Sequence, residues 1–206
     1  VPKTWLINEI PSNVDYPLFI KPRVGRGSRG IGKVNSPNDL EVFINKSNYS
    51  ENQLIIQEFI DGQEFTVSVV CWRDGNVQAV VPKEIISKVG VTRIAVTRRN
   101  EKIESICREI QKKLKANGPF NVQLMLNTQT NEPYPFEINP RFSTSTTLTL
   151  AAGIDELGGL VTQAIFGSKS FQFPDSWEEG VVLIRGTLDS FIDEKTYKNF
   201  PLYLAN

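Results

Sequence analysis

Leu18-Phe19-Ile20-Lys21-Pro22-Arg23-Val24-Gly25-Arg26-Gly27-Ser28-Arg29-Gly30-Ile31-Gly32-Lys33-Val34 is the stretch that decides the fold. Leu18-Phe19-Ile20 is a short apolar run bounded by Pro17 and Pro22, which predicts a strand. Gly25, Gly27 and Gly30 satisfy the GxGxxG dinucleotide pattern. Gly27 to Gly32 followed by Lys33 comes close to a P-loop, with Val34 where Ser or Thr should stand. Both patterns require a helix that starts at the loop. Here Ile31 to Val34 is strand-like, and the first helix signal is Ser36-Pro37, an N-cap followed by proline at the first helical position. Strand, loop, strand describes a flap and excludes a Rossmann turn.

A protein kinase also lays a glycine-rich flap over phosphates, but it needs HRD and DFG motifs. This chain contains neither, and no histidine. The flap offers backbone N–H donors and three arginines, Arg23, Arg26 and Arg29, which suits a polyphosphate. A plain surface turn is the competing reading. Lys21, at the end of the preceding strand, adds a fixed positive charge.

Working outward, residues 37–44 predict a helix through Leu40, Phe43 and Ile44. Residues 53–59 and 64–72 read as strands separated by an Asp61-Gly62 turn, and Asp74-Gly75 starts a hairpin into residues 77–81. From Glu101 to Ala116, Ile103, Ile106, Cys107, Ile110 and Leu114 recur at helical spacing, with Gly118-Pro119 as the expected stop. Residues 121–127 and 134–139 are strands around a polar turn. Helices follow at 146–152 and 157–166, and a last strand at 181–188. Paired strands with helices laid on them make the fold class α+β.

Alternation in the two strands at 121–127 and 134–139 carries chemistry. Glu137 and Asn139 share one face of their strand, and a turn centred near Thr130 places Gln123 opposite Glu137. Three oxygen-bearing side chains then converge, a set suited to Mg²⁺ that shares phosphate ligands. Arg141, two residues on, is within reach of a transferring phosphoryl group. A solvated ion pair between Glu137 and Arg141 is the equal alternative on this segment alone.

Composition narrows the function classes. The 206 residues hold 23 basic and 23 acidic side chains, so there is no basic excess to suggest a nucleic-acid partner. Without histidine there is no Ser-His-Asp triad, Cys-His pair or histidine-bearing zinc site. Cys71 and Cys107 lack CxxC spacing and read as reduced, buried thiols of a cytoplasmic protein. No apolar run is long enough to span a bilayer, so no membrane partner is expected. Met125 is the only methionine, so Val1 is expected to follow a processing or excision point.

Three motifs in order, Phe19-Ile20-Lys21-Pro22 with the glycine loop, Ile56-Gln57-Glu58-Phe59-Ile60-Asp61-Gly62-Gln63-Glu64-Phe65, and Phe136-Glu137-Ile138-Asn139-Pro140-Arg141, resemble the ATP-grasp superfamily. Within it they are similar to the branch of the carbamoyl-phosphate synthase large subunit, across roughly residues 1–166. The resemblance implies two α+β lobes that clamp a nucleotide, antiparallel sheets with packed helices, divided as 1–60, the small lobe with the flap, and 61–206, the large lobe with the magnesium site. It implies Lys21 on the α- and β-phosphates, Gly27 and Gly30 in the flap, and adenine along the hinge of Gln57, Glu58, Phe59 and Ile60. Glu64 would hold the ribose hydroxyls. Gln123, Glu137 and Asn139 would hold one or two Mg²⁺ (or Mn²⁺) ions, and Arg141 would stabilise charge on the γ-phosphate or acyl phosphate.

The implied function is an ATP-dependent ligase. It activates a carboxylate, bicarbonate or an organic acid, as an acyl phosphate for attack by an amine or ammonia. Phosphoryl transfer needs positioning and charge neutralisation more than a protein base, so the absence of histidine is no obstacle. The superfamily's second phosphate-binding lysine and N-terminal domain are not identifiable here, and the missing domain of the same polypeptide is the expected partner. The basic stretch at 83–99, with Lys83, Lys88, Arg93, Arg98 and Arg99, falls where relatives shape the acceptor pocket. For Arg98 and Arg99 a solvated strand edge is the expectation. A non-catalytic nucleotide-binding regulatory module and a biotin-carboxylase-like subunit are the competing functions.

Overall fold

The computed structural model describes residues 1–186 other than Arg26 and Ser28. Ten strands, β1 (Thr4–Leu6), β2 (Leu18–Pro22), β3 (Gly32–Val34), β4 (Leu54–Glu58), β5 (Gln63–Cys71), β6 (Val77–Val89), β7 (Val91–Thr97), β8 (Phe120–Asn127), β9 (Glu132–Asn139) and β10 (Val182–Ile184), form two sheets. The first has order β1-β4-β2-β3 and the second β10-β7-β6-β5-β8-β9. All their pairings are antiparallel. Four helices, α1 (Pro37–Lys46), α2 (Glu101–Leu114), α3 (Thr146–Ala151) and α4 (Glu156–Phe166), pack on them. The α+β class follows directly from this arrangement.

Alternation decides what each sheet buries. In the first sheet Leu18, Ile20, Val34, Leu54 and Ile56 form one core with Leu40, Phe43 and Ile44 of α1. The side chains between them, Phe19, Lys21 and Lys33, therefore fall on the other face. Helix α1 begins where the sequence predicts, with the Ser36 hydroxyl accepting from the Asp39 amide. In the second sheet Phe65, Val67, Val69, Val122 and Leu124 pack against Ile103 and Cys107 of α2. The opposite face carries Val70, Ala79 and Val81, covered by Ile154 and by Leu160 of α4, together with Trp177. Both cysteines are buried free thiols, and burial pushes Cys71 up to about 11 and Cys107 to about 12.

Several elements depart from the sequence reading. Strand β1, which carries no alternation signal, pairs with β4 through Thr4↔Gln57. The strands on either side of Asp61-Gly62, whose pairing the sequence reading leaves open, fall in different sheets, β4 in the first and β5 in the second. The turn is therefore the crossing between the sheets. Strand β6 continues eight residues past the expected Val81, to Val89. Helix α2 ends at Leu114, capped by Lys115 in the left-handed region at φ 52°, before Gly118 is reached. The last described strand is Val182–Ile184, shorter than expected because Arg185 and Gly186 are irregular, while Thr187 and Leu188 lie outside the described residues.

The crossing leaves no room for a side chain. A Cβ on Gly62 would stand 2.0 Å from the Leu126 carbonyl oxygen and 2.8 Å from its carbon. Backbone must move to relieve such a clash, and overpacking of this kind costs typically 1–3 kcal/mol. Gly62→Ala is expected to lower unfolding free energy by about 2 kcal/mol in chemical denaturation.

Candidate active site

The site grows from the β8–β9 pair. In register, Gln123 stands opposite Glu137 and Asn121 opposite Asn139, as the sequence reading expects for the first pair. Next to it the register shifts, with Leu124 opposite Pro135, so Phe136 is the extra residue of a β-bulge. Opposed residues in an antiparallel pair share a face. Asn121, Gln123, Glu137 and Asn139 therefore lie on the face away from α2. The Asn139 amide nitrogen donates to Glu137 Oε1 at 2.7 Å and to Asn121 Oδ1 at 3.5 Å.

Arg141 follows immediately. Its Nη1 donates to the Phe142 carbonyl at 2.9 Å and its Nη2 to Asn139 Oδ1 at 3.5 Å. Among the described residues Arg141 makes no ion pair with Glu137. Asn121, 2% exposed, donates to the Arg141 carbonyl at 3.1 Å and holds the backbone there.

The first sheet reaches the same place. Lys21 Nζ donates to the Phe136 carbonyl at 3.4 Å, on the bulge beside Glu137, and lies 5.7 Å from the Phe136 ring centroid. Burial lowers the Lys21 pKa, and the Glu137 carboxylate partly restores it. A cation from one sheet is thus brought close to a carboxylate from the other. Gly27 and Gly30 of the flap have φ of +64° and +67°, and a Cβ on Gly30 would meet the Tyr49 ring at 2.5 Å. Arg26 and Ser28, between them, lie outside the described residues.

The segment between the sheets behaves differently residue by residue. The Gln57 side chain is turned away to Thr4 Oγ1 at 2.9 Å, and the Glu58 amide donates to the Lys3 carbonyl at 2.9 Å. Phe59 is covered by Lys33, whose Nζ sits 4.1 Å from the ring centroid. Ile60 lies in the irregular link that follows β4. Glu64 stands two residues before Thr66, which is opposite Gln123, so it shares the face of the carboxylate–amide set. Its carboxylate is paired with Lys88 at 2.7 Å, a partner that sequence spacing did not indicate.

Arg98 and Arg99 are both exposed, as expected. Arg98 pairs with Glu84 at 2.8 Å, but Arg99 lies 3.9 Å from the Trp177 ring centroid and donates to its carbonyl at 2.6 Å. Lys83 is fully buried. A concavity of about 640 Å³ lies elsewhere, between β3 and α1, lined by Arg29, Lys46 and Tyr49. It touches none of the carboxylate–amide set.

The donor set fits a hard cation only in company. Among the described residues no three Asp, Glu, His or Cys side chains gather as a metal cage. Glu137 with the Gln123 and Asn139 amides supplies oxygens but a single negative charge, which suits Mg²⁺ that takes its remaining ligands from phosphate and water.

Residues 1–145 match the family model described as ATP-grasp domain. The chain belongs to the ATP-grasp family. An ATP-grasp relative, the D-alanine--D-alanine ligase of Clostridium acetobutylicum, is 27% identical over 155 residues, covering 66% of this chain and 44% of the ligase. The carbamoyl phosphate synthase large chain, N-terminal section, of Methanopyrus kandleri is 26% identical over 157 residues, 70% of this chain and 28% of that one. This chain thus spans less than half the length of either. The N5-carboxyaminoimidazole ribonucleotide synthetase structure from Thermotoga maritima superposes with a TM-score of 0.60 at 24% identity, covering 84% of this chain and 46% of the other, which shows the ATP-grasp fold. Among the described residues no helix is long and apolar enough to cross a membrane.

Proposed function

We propose that this ATP-grasp chain is the Mg-ATP-binding core of an ATP-dependent ligase that activates a carboxylate as an acyl phosphate for attack by an amine or ammonia. The observation that carries the reading is the meeting of Lys21 with the Phe136 bulge beside Glu137, which brings a cation of the first sheet to the carboxylate–amide set of the second. The division into a small lobe at 1–60 and a large lobe at 61–206 is part of the proposal.

In this reading the nucleotide lies between the two sheets. Lys21 neutralises charge on the α- and β-phosphates, while the flap around Gly27 and Gly30 offers backbone N–H groups. The backbone from Gln57 through Glu58 and Phe59 to Ile60 receives adenine, which fits a Gln57 side chain engaged elsewhere. Glu64 receives the ribose hydroxyls once Lys88 shares or releases its carboxylate. Mg²⁺, when bound, would be held by Gln123, Glu137 and Asn139 and would supply neutralisation of triphosphate charge. Arg141 is placed to bind the transferring phosphoryl group. The carboxylate oxygen attacks the γ-phosphorus, the bond to ADP breaks, and the amine later displaces phosphate from the acyl carbon.

The carbamoyl-phosphate synthase-like form, with bicarbonate and ammonia, is the narrower version favoured by the Glu137-Ile138-Asn139-Pro140-Arg141 motif. Lys21→Ala is expected to weaken ATP about 10- to 100-fold and adenosine little, the loss of charge-assisted hydrogen bonds to phosphate. Equal losses for both ligands would contradict the phosphate role. With the full natural polypeptide, phosphate release that depends on an added carboxylate is the expected activity. Nucleotide binding without such release would instead favour a regulatory module.

A further inference from the structure

Lys83 lies on the same face of the second sheet as the carboxylate–amide set, at the other end of one row of opposed residues. Successive pairs Lys83↔Thr66, Thr66↔Gln123 and Gln123↔Glu137 form one row across β6, β5, β8 and β9. At about 4.8 Å per strand spacing, the Lys83 backbone is roughly 14 Å from that of Glu137. Its side chain turns under the segment that follows Arg141. The ammonium, 0% exposed, donates to Ser68 Oγ at 2.8 Å, Thr149 Oγ1 at 2.9 Å and the Ser145 carbonyl at 3.4 Å. Ser68 in turn donates to Glu156 Oε1 at 3.0 Å, so a hydroxyl bridges a buried cation to a carboxylate that is 2% exposed.

Three side chains in or next to the second sheet thus grip carbonyls of one segment. Asn121 holds that of Arg141, Arg185 holds that of Thr144 at 2.6 Å, and Lys83 holds that of Ser145. Within the segment the Ser143 and Ser145 hydroxyls bond each other at 2.9 Å, and the Thr146 amide donates to the Ser143 carbonyl. These bonds leave the backbone after Arg141 with little freedom to shift. An apolar residue at position 83 would pack the same core, but it would offer nothing to Ser145 or Thr149. A buried ion pair is a poor source of net stability, so its value here is geometric.

We propose that Lys83, bridged through Ser68 to Glu156, is a positioning residue that fixes the 141–149 segment and so sets Arg141 toward the γ-phosphate. The inference rests on the role proposed for Arg141. Lys83 itself touches no nucleotide.

The test is the preference for a non-hydrolysable ATP analogue over ADP, measured by calorimetry with Mg²⁺. It uses the wild type, Arg141→Ala, the paired variant Lys83→Met with Glu156→Leu, and all three substitutions together. The paired variant removes both buried charges and keeps similar volume, so it is expected to fold. Arg141→Ala is expected to reduce the preference about 10-fold or more. The paired variant should reduce it about 5-fold with ADP affinity unchanged, and adding Arg141→Ala should bring little further loss, since the two act through one contact. Hydrogen exchange should quicken at residues 143–146 and not along β5 or α2. A paired variant with undiminished preference, additive losses, or equal losses for ADP and the analogue would overturn the proposal. No preference in the wild type, or none lost in Arg141→Ala, would refute the role of Arg141 itself, and this inference would fall with it.

Discussion

Glu137→Ala is expected to abolish the Mg²⁺ dependence of nucleotide binding, with affinity for the Mg-nucleotide falling about 100-fold, while the protein stays folded. Glu137 is the only carboxylate of the Gln123–Glu137–Asn139 set, so its removal leaves two neutral amides that cannot hold a divalent cation against water. The side chain is exposed on β9 and shares no core cluster, so stability should change by no more than about 0.5 kcal/mol. It also removes the carboxylate that favours the charged form of Lys21, but burial of that lysine is the larger influence. Titration of the variant with nucleotide, with and without Mg²⁺, alongside a denaturation curve, separates loss of metal from loss of fold. Unchanged Mg-nucleotide affinity would sink the metal assignment.

Lys83→Met alone is expected to destabilise the protein by about 3–5 kcal/mol, because Glu156 is then left buried without its cation. The paired change with Glu156→Leu should recover most of that loss. A pH signature accompanies it. Burial holds Lys83 down to about 8 against its ordinary 10.5, with the Glu156 carboxylate pulling the other way. The unfolded chain therefore binds more protons than the folded one between those values, and stability rises as pH climbs through that window. A shift of this size corresponds to about 3 kcal/mol at most. Below about pH 8 the charged lysine is carried into the fold at full cost. Denaturation at pH 7.5 and 10 should show a gain in the wild type relative to the paired variant. A parallel change in both proteins would remove Lys83 as its source.

The sequence reading succeeded where local chemistry and local pattern agree. The Ser36 cap, the helical spacing of Ile103 and Cys107, and the turn that sets Gln123 against Glu137 are all decided by neighbours within about fifteen residues. The absence of a helix after the glycine loop likewise follows from Ile31 to Val34, and β3 stands there. Long-range choices escaped it. The residues at Asp61-Gly62 read locally only as a turn, and the division of the chain there comes from the family resemblance alone, because a turn between partners and a turn between sheets use the same residues. Pro82, Lys83 and Glu84 break the apolar run of β6 and hide its true length, although Lys83 faces polar partners brought from β5, α3 and α4. Arg99 is the exposed charge that the sequence suggests, but its stacking on Trp177, far along the chain, has no local signal.

The same limit applies at the site. Residue types and alternation placed Gln123, Glu137 and Asn139 on one face, and strand-end position singled out Lys21 beside the flap. Their meeting depends on the bulge at Phe136, whose carbonyl faces the Lys21 ammonium. A one-residue register shift carries no pattern of its own in the sequence. The Lys88 partner of Glu64 is equally silent, since it arises from the added length of β6.

The most direct measurement is a calorimetric titration of this chain with a non-hydrolysable ATP analogue, with and without Mg²⁺. The account predicts binding that strengthens when Mg²⁺ is present, because the single carboxylate and two amides hold the ion only together with the triphosphate. Binding of equal strength without the metal, or no binding by the full natural polypeptide, would contradict it.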